Sequence, residues 1–428
     1  MFMRSATPQS HKTETGSRNS YAAAGDTLLQ SGEVSGGTEI AAGLPLPENK
    51  LYFPALDGLR AIAVLMVFTA HYFGLPAALN WGWSGVDVFF VLSGFLITGI
   101  LYDSRDRVHR FQIFYKRRTL RIFPLFYGVL LVAVLLYPVF HWRLHRGLWL
   151  WPLYLGNYIR YIWPLDYAGN ASIYEDLQSR LHLVMPFSLH FDHLWSLCVE
   201  EQFYLIWPLA VYIIKDRVRL RNLCIAAVVL TPLLRLICLH TLSPSLIDMR
   251  FLYRVTPLRA DALLLGGAMA LMLRGPRTES ERLLALAKPS AQVLLAVAVG
   301  LEVICRVRLG HFIDSDYVIL HSPMVYTLIA LLAGAVILLA IDSRSTVYRV
   351  CSNTQMRALG QRSYGFYVYH LLLLSAYQYV ALGICLGHKA YLTQVTAVVA
   401  LFGTLLVSWA SFRYFEAPFL RLKARWAA

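Results

Sequence analysis

Met324-Val-Tyr-Thr-Leu-Ile-Ala-Leu-Leu-Ala-Gly-Ala-Val-Ile-Leu-Leu-Ala-Ile341 runs for eighteen residues without a charge. That is close to the ~20 apolar residues a helix needs to cross a bilayer. Similar runs start at Leu131 and extend from Val395 to Ala410. One such run is compatible with a buried core, but about ten are not, because the 428 residues are 57% hydrophobic and only 15% charged. Composition therefore predicts an all-α integral membrane protein of about ten transmembrane helices. We place them near 56–74, 84–102, 119–140, 193–214, 222–240, 257–274, 288–305, 322–342, 363–383 and 391–412.

The net charge of +14 would suggest nucleic acid in a soluble protein. Its distribution excludes that reading. Residues 1–50 hold four basic and five acidic side chains, so the whole excess lies between the apolar runs. Arg105, Arg107, Arg110, Lys116, Arg117, Arg118 and Arg121 crowd one loop, whereas Tyr72 to Ser84 has no Lys or Arg. The basic stretches Lys215 to Arg221, Arg274 to Lys288, Arg344 to Arg362 and Arg413 to Arg425 fall on the same side. By the positive-inside rule that side is cytoplasmic, with both termini on it, in a plasma or inner membrane.

Parity keeps Trp142 to Asp192 on the opposite side, as an interfacial or re-entrant segment rich in Trp and Tyr. Residues 1–50, rich in Ser, Thr, Gly and Ala, read as a disordered cytoplasmic tail ahead of a membrane domain over 51–428. Asn170-Ala-Ser is a glycosylation sequon by pattern alone. The six cysteines stand singly, which predicts neither a disulfide framework nor a metal site.

Charges inside apolar spans are costly, so each one is a functional candidate unless it pairs with a neighbour. Arg60 and His71 are eleven residues apart, about 20° from alignment and roughly 16 Å along the axis, so they are expected to line one cavity. Against this, Arg60 can pair with Asp57 at i,i+3 and His71 can be merely interfacial. A histidine in a polar cavity removes a proton from a hydroxyl at neutral pH, and an arginine holds an anion.

His193-Leu-Trp-Ser196-Leu-Cys-Val-Glu200-Glu201-Gln202 sets two carboxylates in an apolar helix, with His193 and Glu200 on one face. These read as structural support or as groups orienting a base. Arg118 and Arg121, beside Arg117, would form a phosphate-sized pair of forks at the mouth of the third span; topology-setting charge is the plainer reading. Arg259 with Asp261, and Arg413 with Glu416, read as structural pairs, although Arg259 and Asp261 are also placed to support substrate.

Together these motifs resemble the membrane-bound acyltransferase family 3. The resemblance covers 51 to about 420 and rests on five pieces in order. They are Leu56-Asp57-Gly58-Leu59-Arg60-Ala61 with His71, Gly85-Val-Asp87-Val-Phe-Phe-Val-Leu-Ser93-Gly-Phe-Leu96, Arg118-Thr-Leu-Arg121-Ile-Phe-Pro124, His193 to Tyr204, and Ser363-Tyr364 before His370. It implies a ten-helix domain and an acyl-CoA donor, acetyl-CoA foremost, reached from the cytoplasm. It further implies a hydroxyl acceptor on a carbohydrate, glycolipid or related molecule, with Arg60 and His71 catalytic and Arg118, Arg121 and Arg117 near the donor's phosphates. Asp57, Asp87, His193, Ser196, Glu200, Glu201, Arg259, Asp261, Ser363 and Tyr364 follow as substrate-binding or supporting positions, with no metal.

Many relatives add an extracytoplasmic hydrolase-like domain after the last helix, and a chain stopping at Ala428 is expected to be a stand-alone version. Cys198 stands where a smaller Ala or Ser is more usual. The alternative is a secondary transporter of an anionic or glycolipid substrate, with Arg60, His71 and the glutamates as a midplane site. It predicts inverted repeats, which the sequence does not display. A structural scaffold is a third reading and leaves so many intramembrane charges unexplained.

Overall fold

The structure, a computed structural model, describes residues 53–73, 81–140, 149–162, 189–242, 251–309, 323–386 and 391–425. The expected tail over 1–50, the Asn170 sequon and most of the aromatic outer segment lie outside the described residues.

Pro54 at the first helical position opens α1 (Pro54–Tyr72), where its missing N–H costs nothing. α2 (Gly85–Asp103) and α3 (Arg110–Phe140) follow. α4 is Trp195–Ile213, and α5 (Arg217–Thr241) is capped by the Asp216 carboxylate, which accepts from the Arg219 N–H at 2.6 Å. α6 (Ala260–Met272), α7 (Arg277–Ile304) and α8 (Met324–Ile341) lead to two short helices, α9 (Thr346–Cys351) and α10 (Thr354–Gln361), capped by Ser345 and Asn353. α11 (Ser363–Leu372), α12 (Leu374–Ile384), α13 (Leu392–Ala410) and α14 (Ala417–Arg425) complete the order.

Every expected span has a helical counterpart. By length and apolarity, however, seven described helices qualify to cross a membrane, α1, α2, α3, α5, α7, α8 and α13, or eight if the bent α11–α12 pair is one span. The apolar run of α4 is broken by Glu200, Glu201 and Gln202, although the helix is continuous. α6 has 13 residues, about 20 Å at 1.5 Å per residue and short of a ~30 Å hydrocarbon core.

Two local expectations are corrected. α3 begins at Arg110, so Arg117 to Arg121 stand within the helix and not at its mouth; Lys and Arg are good helix formers and nothing from 110 to 123 breaks the run. The expected straight span over 363–383 is bent by 66° at Leu373 without a proline. There the His190 N–H donates to the Leu372 carbonyl at 3.3 Å, and the His190 ring meets the Ser375 hydroxyl at 2.9 Å. An inserted segment that satisfies a freed carbonyl is a recognised cause of a kink. The described part of the outer segment, residues 149–162, packs on the helices. Tyr154 stacks on Phe126 of α3 with centroids 4.4 Å apart, and Gln202 of α4 donates to its carbonyl at 2.7 Å.

Without a hydrophobic drive between helices in lipid, close backbone approach carries the packing. A Cβ on Gly94 of α2 would run into the Leu263 carbonyl, and one on Gly266 of α6 into that of Val91, so these helices touch backbone to backbone. The basic ends gather together. Arg217 and Arg221 of α5 share Glu279 of α7 at 2.9 and 2.6 Å, and Arg274 forks onto Asp103 at the end of α2 with two bonds of 2.6 Å.

Candidate functional site

Arg60 lies 3.5 Å from Asp57, the i,i+3 pair expected of a helix. It also lines a cavity of about 80 Å³ between α1, α2, α3, α4 and α11. Arg118 and Arg121 project into the same space, together with Ser93, Ser196, Glu200, Glu201, Ser363, Tyr364 and Tyr367. The two forks expected of Arg118 and Arg121 are thus joined by a third, while Arg117 is not among the lining residues.

A chain of polar contacts holds the arginines in register. Tyr204 donates to the Ser93 hydroxyl at 3.0 Å, Ser93 donates to Glu200, and the Arg118 guanidinium stands 4.6 Å from the Tyr204 ring centroid. Tyr364 donates to the Ile122 carbonyl at 2.8 Å and ties α11 to α3. Glu201 keeps a buried oxygen with no hydrogen-bond partner among the described residues. The cavity therefore brings together three guanidinium groups, Arg60 paired with Asp57, and two carboxylates, of which Glu200 accepts from Ser93.

His71 is not among its lining residues, which corrects the expectation that Arg60 and His71 face one cavity. The two residues stand about 16 Å apart along the helix axis. His71 is exposed at the far end of α1. Its ring centroid lies 5.2 Å from that of His370, which is 4.9 Å from that of His193. His193, in the 3₁₀ turn Asp192–Leu194, is not among the lining residues either.

The three histidines share one hydrogen-bond arrangement. His71 Nδ1 bonds the Val67 carbonyl at 2.8 Å, His370 Nδ1 that of Tyr367 at 2.6 Å, and His193 Nε2 that of Val368 at 3.1 Å. A carbonyl only accepts, so each ring donates from that nitrogen and presents the other as a base. The presenting nitrogens of His193 and His370 are buried without a partner among the described residues.

Tyr367 stands between the two groups. It lines the arginine cavity, and its ring lies 5.5 Å from that of His193 and 5.4 Å from that of His370. Its hydroxyl donates to the His193 carbonyl at 2.7 Å, which leaves the Ser196 hydroxyl as donor to Tyr367 at 2.6 Å.

Asp87, Arg259 and Asp261 are not in the cavity. Arg259 pairs with Asp87 across to α2, and Asp261 pairs with Arg235 of α5 at 2.6 Å, so the expected Arg259–Asp261 pair is replaced by two cross-helix pairs, all four side chains buried. The reason is reach, since residues two apart on a helix point to different faces. Arg259 backs the cavity wall through Phe90, 5.4 Å from its ring. Arg413 and Glu416 do not pair either. Glu416 is buried and accepts from Ser411 at 3.1 Å, while Arg413 lies over Tyr414.

Sequence reading gave no role to Tyr367, His370 or Arg235. The first two were detectable, because Ser363, Tyr367 and His370 recur at i, i+4 and i+7 on one helical face. Among the described residues no group of three His, Cys, Asp or Glu is placed to hold a metal.

Three guanidinium groups in one cavity and three histidines near it thus stand among apolar helices. The chain belongs to the acyltransferase 3 family, whose acyltransferase domain matches residues 53–413. It is 29% identical over 384 residues to the peptidoglycan O-acetyltransferase OatA of Listeria monocytogenes, covering 86% of this chain and 56% of that protein. It is 32% identical over 342 residues to the putative peptidoglycan O-acetyltransferase YrhL of Bacillus subtilis, covering 76% and 49%. The O-acetyltransferase OatA of Staphylococcus aureus is 28% identical over 382 residues, covering 86% and 57%. The chain thus spans about half the length of the curated relatives it matches. No solved structure matches it.

Proposed function

We propose that this protein is a membrane O-acyltransferase that takes an acyl group from acyl-CoA, acetyl-CoA foremost, and delivers it to a hydroxyl of a carbohydrate or glycolipid. The observation that carries this reading is the single cavity shared by Arg60, Arg118 and Arg121, closed by Tyr367 from the histidines beyond it. Guanidinium forks match phosphate oxygens, so Arg118 and Arg121 hold the donor's phosphates while Arg60, braced by Asp57, keeps the cavity positive. The flexible pantetheine arm then reaches the 16 Å along α1 toward His71. His71 Nε2 takes the acceptor's hydroxyl proton, the alkoxide oxygen attacks the thioester carbonyl, the C–S bond breaks, and CoA leaves as a thiolate that is reprotonated. Glu200, Glu201, Ser196, Ser363, Tyr364 and His193 support this geometry. Asp87, Arg259 and Asp261 hold the helices behind it.

The relatives named as peptidoglycan O-acetyltransferases favour a glycan acceptor. We count ten crossings by adding α4, α6 and the bent α11–α12 pair to the seven, with residues 1–50 as a tail and both termini cytoplasmic in an inner membrane. Purified protein in nanodiscs, given acetyl-labelled CoA and glycan acceptors, is expected to release CoA thiol and label the acceptor. Label transfer from another donor, with none from acetyl-CoA, would remove the CoA assignment. Labelling a cysteine at position 170 only from the cytoplasmic side would remove the ten-crossing topology.

A further inference from the structure

A second cavity, of about 420 Å³, opens at the basic end of the bundle, lined by Arg362, Trp409, Phe412, Arg413, Tyr414, Ala417 and Arg421. Its three cations come from three segments: the start of α11, the π-helical turn Ser411–Glu416, and α14. Among the described residues no carboxylate lines it. Glu416, the nearest acid in sequence, is buried against Ser411. The π turn produces this separation, because its wider winding sends Arg413 outward while Glu416 turns in.

Charge that merely sets topology extends freely into water. Here Arg362 lies 5.4 Å from the Phe412 ring and donates to the Ala358 carbonyl at 2.7 Å, with its Nε buried and unpartnered among the described residues. Arg413 lies 5.9 Å from the Tyr414 ring. Aromatic contacts thus hold two guanidinium groups in position before any ligand arrives. Leading away from the cavity, α13 presents Trp409, Leu406 and Phe402 with 45, 65 and 66% exposure. At i, i+4 and i+7 they form one apolar stripe running from the cations into the bilayer.

We propose that this cavity binds the phosphate headgroup of an anionic phospholipid, with an acyl chain lying along Phe402, Leu406 and Trp409. Planar guanidinium forks select phosphate oxygens, and the stripe selects a ligand that carries a hydrocarbon tail. The site is separate from the arginine cavity between α1 and α4, and it does not depend on the acyl donor assigned there.

Native mass spectrometry of delipidated protein, titrated with phosphatidylglycerol, phosphatidylcholine or inorganic phosphate, tests the proposal. Phosphatidylglycerol should be retained in preference to phosphatidylcholine. Arg362→Gln/Arg413→Gln/Arg421→Gln should lose about a hundredfold in retention, each charge contributing roughly fivefold. Arg413→Gln alone should lose about fivefold and serves if the triple variant folds poorly. Arg219→Gln/Arg344→Gln/Arg349→Gln, which removes three exposed cations elsewhere, should retain phosphatidylglycerol like the parent. Equal retention by parent and cavity variant overturns the proposal, as does equal loss in the control. Displacement of the lipid by dilute inorganic phosphate would mark a site for soluble phosphate and overturn it equally.

Discussion

Tyr367 and Ser196 meet hydroxyl to hydroxyl at 2.6 Å, where the wall of an arginine-lined cavity backs onto three histidines. Tyr367→Phe keeps the ring but removes the bond to the His193 carbonyl and strands the Ser196 hydroxyl. One neutral hydrogen bond contributes about 1 kcal/mol, so turnover should fall on the order of fivefold with KM for the donor unchanged. Steady-state kinetics checks it. A large rise in KM at constant kcat would make Tyr367 a donor contact and not a divider.

His71→Gln should lower acyl transfer by about 10²–10⁴-fold, since an amide keeps polar shape but accepts no proton at neutral pH. The loss should fall on kcat while membrane insertion and donor binding persist. Near-normal turnover in folded His71→Gln protein would leave the imidazole a positioning role only.

Arg118→Ala and Arg121→Ala should each raise KM for acyl-CoA by about tenfold or more, a charge-assisted bond contributing ~1.5–3 kcal/mol. Because these groups stand far from the reacting carbonyl, kcat should change little. Unchanged KM with a collapsed kcat would move both residues from anchoring to catalysis or folding.

Asp87→Ala leaves Arg259 buried and uncompensated, which should cost about 3–5 kcal/mol and lower the thermal midpoint in detergent. Asp87→Leu/Arg259→Leu removes both charges and should recover much of that loss. If the double variant is as unstable as the single, the pair contributes something beyond charge balance.

Burial pushes His190 below the ordinary imidazole value, with Asp192 opposing in part. The folded state thus favours the neutral ring, and the unfolded state takes up the proton first as pH falls through ~6.5. Stability associated with the kink between α11 and α12 is full above that value and is lost below it. The midpoint should fall between pH 7.5 and 5.5, and less so for His190→Gln. Equal acid sensitivity of the two proteins would assign the effect to other groups.

Helical class and membrane setting were legible because both follow from local quantities. Many runs such as Met324 to Ile341 in one chain have no soluble solution together, and loop charge follows from short stretches. Arg118 and Arg121 were legible for a related reason: three residues apart on a helix, they share a face wherever the helix goes. The kink at Leu373 was not, because it is caused by His190, distant in sequence, and α11–α12 carries no proline to mark it.

The sequence by itself determined the helices, their order and the identity of the costly charges. Only the tertiary structure decided who pairs with whom: Arg259 with Asp87 instead of Asp261, and His71 with His370 instead of sharing a cavity with Arg60. A buried charge must find a partner, but the partner's address depends on which helices touch. That is decided by backbone contacts such as those of Gly94 and Gly266, which no periodicity within a single helix encodes.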